Sequence, residues 1–153
     1  MKITPTMAAI AAVFTLGGCD RLPPPAPDLS ICWAPATKTK VTEMFQSQVV
    51  EYIAKAINDG TTEANKKDAP TRDEIKGRVT VTLDMLHVTG ADAASGRLTC
   101  GANIAIQFRR RGDEKLMSAS ASSPDFQIYK GETGPVYSVP GPILLKPLLD
   151  KME

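Results

Sequence analysis

Apolar positions recur every three or four residues in one stretch of the chain and every second residue in the next. Val41, Met44, Phe45, Val49, Tyr52, Ile53, Ala56 and Ile57 share one helical face, with Glu43, Gln46, Ser47, Glu51, Lys55 and Asn58 off it. That spacing predicts an amphipathic helix over Val41–Asn58. Thr39 or Thr42 can cap its start, and Gly60 can end it in the left-handed conformation. Residues 60–74 are polar and contain Pro70, so they read as a loop in which Thr71 and Glu74 can cap one short turn. The period then becomes two. Val79, Val81, Leu83 and Met85 alternate with Arg78, Thr80, Thr82 and Asp84, after which Leu86 and Val88 take over the apolar parity. This flip predicts a bulge near Met85–Leu86. Beyond a Gly90–Gly96 loop, Leu98, Cys100, Ala102, Ile104, Ile106 and Phe108 alternate with Thr99, Gly101, Asn103, Ala105, Gln107 and Arg109. Two such runs around a short loop predict an antiparallel pair. A turn at Arg111-Gly112-Asp113 leads to a third strand over Lys115–Ser122, and a fourth covers Phe126–Lys130. Residues 131–142 are irregular around a short Val136–Val139 strand. In the tail PILLKPLLDKM, Pro147 removes a hydrogen bond from any helix. That apolar tail either packs on the sheet or offers a contact surface.

One long helix packed on an antiparallel sheet of about four strands is an α+β layer. It resembles the cystatin-like arrangement, a helix laid across a four-stranded sheet. The chain is also similar to small uncharacterised cystatin-like bacterial lipoproteins that carry a Cys before the helix and a strand with Gly-x-x-x-Cys. Here those residues are Cys32 and Gly96-Arg97-Leu98-Thr99-Cys100. The resemblance spans roughly residues 32–110 and implies a fold more than an activity.

The N-terminus follows a different rule. Lys2 is the only charge before Asp20, Met7–Leu16 is an uncharged run of ten residues, and Gly17, Gly18 and Cys19 follow. A positive start, a short apolar core and small residues at the cut describe a secretory signal peptide over residues 1–18. As a helix, ten residues span only ~15 Å, half of a ~30 Å hydrocarbon core. Leu16-Gly17-Gly18-Cys19 resembles the lipobox of bacterial lipoproteins. The resemblance implies cleavage before Cys19, diacylation of its thiol and a lipid anchor in the membrane. Asp20 resembles the signal that retains such proteins in the inner membrane of enteric bacteria, which favours the inner over the outer membrane. Pro23, Pro24, Pro25 and Pro27 then predict an extended polyproline II tether over residues 19–31. About ten such residues set the domain, residues 32–153, roughly 30 Å from the bilayer on its periplasmic side.

Composition narrows the chemistry. The chain has 18 Lys+Arg against 17 Asp+Glu, and Lys2 leaves with the signal, so no basic field recommends nucleic acid as a partner. One His and three scattered Cys argue against a protein zinc site, and no cofactor fingerprint is present. Secretion into an oxidising compartment predicts a Cys32–Cys100 disulfide; two buried free thiols are the alternative, and a redox pair would favour C-x-x-C. His87, the sole imidazole, has no second His for a metal pair and reads as structural or solvent-facing. Carboxylates such as Asp84, Asp92 and Glu51 are too common for the sequence to assign them to a pair. Ser118, Ser120, Ser122 and Ser123 lack a nucleophile motif. Arg109-Arg110-Arg111 reads as a solvated turn, or else as a contact for anionic headgroups or an acidic partner. Arg111-Gly112-Asp113 also spells an adhesion tripeptide, which a Gly-centred turn explains without a receptor.

These features point to a membrane-anchored, non-catalytic envelope lipoprotein that binds another envelope protein. A small-ligand carrier or sensor with a pocket between helix and sheet is the alternative, and a small periplasmic hydrolase the third reading. A deep apolar pocket would favour the carrier, and an exposed apolar patch the protein partner.

Overall fold

Both periodicities fold as written, on a chain whose computed structural model describes residues 26–62, 68–112, 116–142 and 145–151. The lipobox through Cys19, Asp20, Pro23–Pro25 and Asp113 of the tripeptide lie outside those residues. A 3-10 turn over Leu29–Trp33 leads into α1, Pro35–Gly60, followed by the short α2, Arg72–Lys76. The strands are β1 Val79–Asp92, β2 Arg97–Arg109, β3 Leu116–Ser122, β4 Phe126–Lys130 and β5 Pro135–Ser138, and the one-turn α3 covers Lys146–Leu149. The sheet is antiparallel and has five strands rather than about four. β5 coincides with the short stretch anticipated around Val136.

α1 begins six residues before the apolar stripe does. Pro35 sits in its first turn, where a missing N–H costs nothing, and Ala34 precedes it without a side-chain cap. Neither Thr39 nor Thr42 is therefore the start. Gly60 is not left-handed; the helix runs into an extended Thr61, whose N–H bonds to the carbonyl of Asn58. Thr71 and Glu74 do form a full capping box on α2. Pro147 opens α3 rather than preventing it, again at a position that needs no N–H.

β2 is central. β1 pairs along one edge of it, while β3 and β4 share the other edge, β3 against Asn103–Arg109 and β4 against Leu98–Cys100. The handover occurs at Ser123-Pro124. The Ser123 N–H donates to Ala102 O at 2.7 Å, and Ala102 N–H donates to Ser123 Oγ at 3.1 Å. A side-chain oxygen thus completes the ladder beside a proline that has no N–H to offer. The expected bulge is present: two β1 residues, Met85 and Leu86, face Ala102 alone, between the pairs Asp84–Asn103 and His87–Gly101. Met85 adopts φ 49°, an uncommon value for a residue with a Cβ, and its side chain is 75% exposed.

One face of the sheet is buried. Leu98, Cys100, Ala102, Ile104, Ile106 and Phe108 of β2 meet Val41, Phe45, Val49 and Ile53 of α1, joined by Val79, Val81 and Leu83 of β1. Leu145, Leu148 and Leu149 are buried too, so the C-terminal tail belongs to the core. Cys32 and Cys100 are disulfide-bonded with a Cα–Cα distance of 5.9 Å, and both are fully buried. The bond ties the entrance of α1 to the centre of the sheet. Among the described residues, no helix is long and apolar enough to cross a membrane.

Two stability measurements follow. Replacing both Cys32 and Cys100 with Ser opens a loop of 68 residues and is expected to cost about 2–5 kcal/mol in denaturant titration. Met85→Gly removes the left-handed Cβ conflict at little loss of burial and is expected to stabilise by about 1 kcal/mol in the same assay.

Candidate functional site

A cleft opens where the last two turns of α1 meet α2 and the far end of the sheet. α1 supplies Tyr52, Ile53, Ala56 and Ile57, α2 supplies Ile75, and β2, β3 and α3 supply Phe108, Met117 and Leu149. Arg78, Arg110 and Arg111 complete the wall, with Pro70 from the loop before α2. The cleft is open on one side and has a volume of about 460 Å³, within the range of small-molecule sites.

Local structure explains why these groups converge. The stripe that buries Val41, Phe45 and Val49 continues one and two turns later to Ile53 and Ile57. α2 is held against α1 by its buried Ile75 and by an ion pair between Arg72 and Glu51, with Nη2 to Oε1 at 2.9 Å. Arg78 precedes β1, and its carbonyl accepts the Arg109 N–H at 3.2 Å, which brings the start of β1 beside the end of β2. A glycine at φ 74°, Gly112, turns the chain directly after Arg111. α3 is fixed by the Tyr52 hydroxyl, which donates to Asp150 Oδ1 at 2.8 Å, while Lys146 bonds the other oxygen of that carboxylate.

The charges around the cleft are set by these contacts. Glu74 is held below the usual carboxylate range by the backbone N–H of Thr71, then by the Thr71 hydroxyl, with Arg111 and Arg78 adding attraction. Both guanidinium groups therefore lie near α2. The Asp150 carboxyl is also lowered, first by the Lys146 hydrogen bond and then by Tyr52; Lys146 and Tyr52 are raised by that same carboxylate. The arrangement offers aliphatic surface below and positive charge at the margin. That combination suits binding of an apolar or amphipathic group.

The residues singled out in the sequence lie apart from one another. His87 is exposed on the open face of the sheet, where its Nδ1 is 2.9 Å from Met85 O and its ring covers Gly101, so tightly that a Cβ there would sit 2.8 Å from Nε2. Glu51 pairs with Arg72. Asp92 closes the β1–β2 turn by accepting from Ala94 N–H and Ser95 Oγ–H, and Asp84 lies on the exposed side of β1. Ser118, Ser120 and Ser122 line the exposed face of β3, and Ser123 serves the ladder. Of the features marked in the sequence, Arg110 and Arg111 line the cleft together with Leu149 of the C-terminal tail and the last apolar positions of the α1 stripe. The alternative reading expects a pocket between helix and sheet, and the sequence does not show its lining, because the wall is assembled from segments running from Tyr52 to Leu149.

The contact between α1 and α3 has a pH signature. A carboxylate whose folded pKa is depressed contributes stability that is full above its unfolded value, near 3.9, and lost as pH falls through the folded value. Melting temperature is therefore expected to fall as pH drops from about 5 to 2.5, less steeply in Asp150→Asn than in the parent chain. Equal slopes in the two proteins would remove Asp150 from this role.

Compared with known proteins, the chain matches no family model, no curated protein and no solved structure.

Proposed function

We propose that this chain is a lipid-anchored bacterial envelope protein, held by an acylated Cys19, whose non-catalytic domain binds an apolar or amphipathic molecule in the cleft. The observation that carries the reading is where the cleft lies. The described chain enters at Ala26, and Ala26, Pro27, Asp28 and Ile31 lie against Gly96, Leu98 and Lys130 at the end of the sheet that holds the β1–β2 turn. α1 starts there and runs 26 residues, roughly 39 Å at 1.5 Å per residue, to the cleft. The expected tether over residues 19–31 is shorter, because Leu29–Trp33 is a 3-10 turn and Ile31 packs on the core. With residues 19–25 as the spacer, the domain stands on one end and opens its cleft at the other, toward the periplasm. The buried Cys32–Cys100 bond supports an oxidising compartment. A concave apolar site favours a ligand carrier or sensor over the broad apolar patch of a protein-binding surface.

A second reading, binding of another envelope protein, is favoured by Trp33. This side chain is 53% exposed beside Leu29, which is 44% exposed, on the turn next to the tether. Tryptophan is over-represented among interface residues that dominate binding energy.

Both parts of the proposal are open to test in a bacterial host. Radioactive palmitate is expected to label the full chain and not Cys19→Ser; label on the variant overturns the anchor. A photoreactive amino acid at Met117 is expected to capture a lipid-sized adduct, while one at Thr82 on the open face captures none. Capture of a protein at Trp33, with nothing at Met117, replaces the first reading with the second.

A further inference from the structure

We propose that the cleft takes a single-chain anionic amphiphile, an acyl chain ending in a carboxylate, with the chain against Ile57, Ile75, Phe108 and Met117 and the head between Arg110 and Arg111. This rests on the cleft being the binding site, and it adds the chemical class of the ligand.

Three observations select it. The floor is mostly aliphatic, which rewards burial of methylenes rather than stacking of rings. The volume, about 460 Å³, lies toward the small end of ligand sites, which fits one chain better than a two-chain lipid. The sign of the margin is positive: Arg78, Arg110 and Arg111 line it, and no carboxylate does so among the described residues. Of the acids close to it, Glu74 accepts from Thr71 in the capping box while also attracting Arg78 and Arg111, and Asp150 bonds Tyr52 and Lys146, so Arg110 is the guanidinium least offset among the described residues. Guanidinium forks match the two oxygens of a carboxylate, so the head gains paired, charge-assisted hydrogen bonds as well as attraction. Arg110 and Arg111 are exposed, so an incoming head can reach them without prying open the core.

Titration calorimetry on the signal-free chain, residues 19–153 carrying Cys19→Ser, tests the inference. Decanoate, dodecanoate and dodecyltrimethylammonium are each kept below micelle formation. Dodecanoate is expected to bind once per chain, and about fifteenfold more tightly than decanoate, from roughly fourfold per buried methylene. Dodecyltrimethylammonium is expected to bind at least tenfold more weakly than dodecanoate. Arg110→Glu/Arg111→Glu, with circular dichroism as the folding control, is expected to reverse that preference. Ala56→Glu, at the cleft mouth, is expected to weaken both ligands. If both heads bind the parent chain equally and Ala56→Glu weakens both, the anionic assignment is overturned while the cleft remains an apolar binding site. If neither ligand binds saturably, or Ala56→Glu changes nothing, the inference and the use of the cleft for small amphiphiles both fail.

Discussion

The inner face of β2 is the surface on which the rest of the structure depends. Leu98, Cys100, Ala102, Ile104, Ile106 and Phe108 form a continuous apolar row along a strand of roughly 40 Å, and a sheet with one apolar face must cover it. α1 is the element long enough to do so. Its stripe from Val41 to Ile53 approaches the sheet most closely along β1 and closes the same core as that row, with Phe45 and Ile106 fully buried. Truncating such residues to Ala typically costs about 2–5 kcal/mol, a large fraction of the stability of a domain this size. The disulfide acts on the same row: Cys100 is one of its members, so the covalent tie to Cys32 fixes where α1 starts relative to the sheet.

The polarity of the domain follows from that docking. A helix that starts near the β1–β2 turn and runs the length of the sheet delivers its last turns to the opposite end. There Ile57 passes the best-covered part of the core and remains only partly buried. α2 and α3 close round this end without sealing it. Each is one turn or little more, and each is held by a local polar contact: Thr71 with Glu74, Arg72 with Glu51, Tyr52 with Asp150. The cleft is what remains between a long helix, a sheet edge and two helices too short to fill the gap.

At this end the apolar surface is concave, and among the described residues its lining carries the guanidinium groups of Arg78, Arg110 and Arg111. The exposed face of the sheet has the opposite character. Thr80, Thr82, Gln107, Ser118 and Ser120 present uncharged polar side chains, and His87 is placed over Gly101 by the bulge at Met85, whose carbonyl lies 2.9 Å from its Nδ1. The residue types that most suggested chemistry in the sequence are therefore used to build turns, ladders and caps, as Asp92, Ser123 and Glu74 illustrate.

Periodicity alone was enough to determine the α1 stripe, the β1–β2 pairing and the bulge near Met85, because each depends on which face of a local segment is apolar. The capping box at Thr71 and Glu74 was legible for the same reason: its partners are three residues apart. Helix ends were less legible. Pro35 and Pro147 look like breakers until their place in the first turn is known, and Gly60 looks like a terminator although its φ stays negative. The tertiary structure decided the split of β2's second edge between β3 and β4, and the burial of Leu145, Leu148 and Leu149. It also decided the meeting of Arg78, Arg110 and Arg111 around Ile57. None of these follows from local pattern, since each depends on contacts between residues far apart in the chain that exist only once the helix has docked on the sheet.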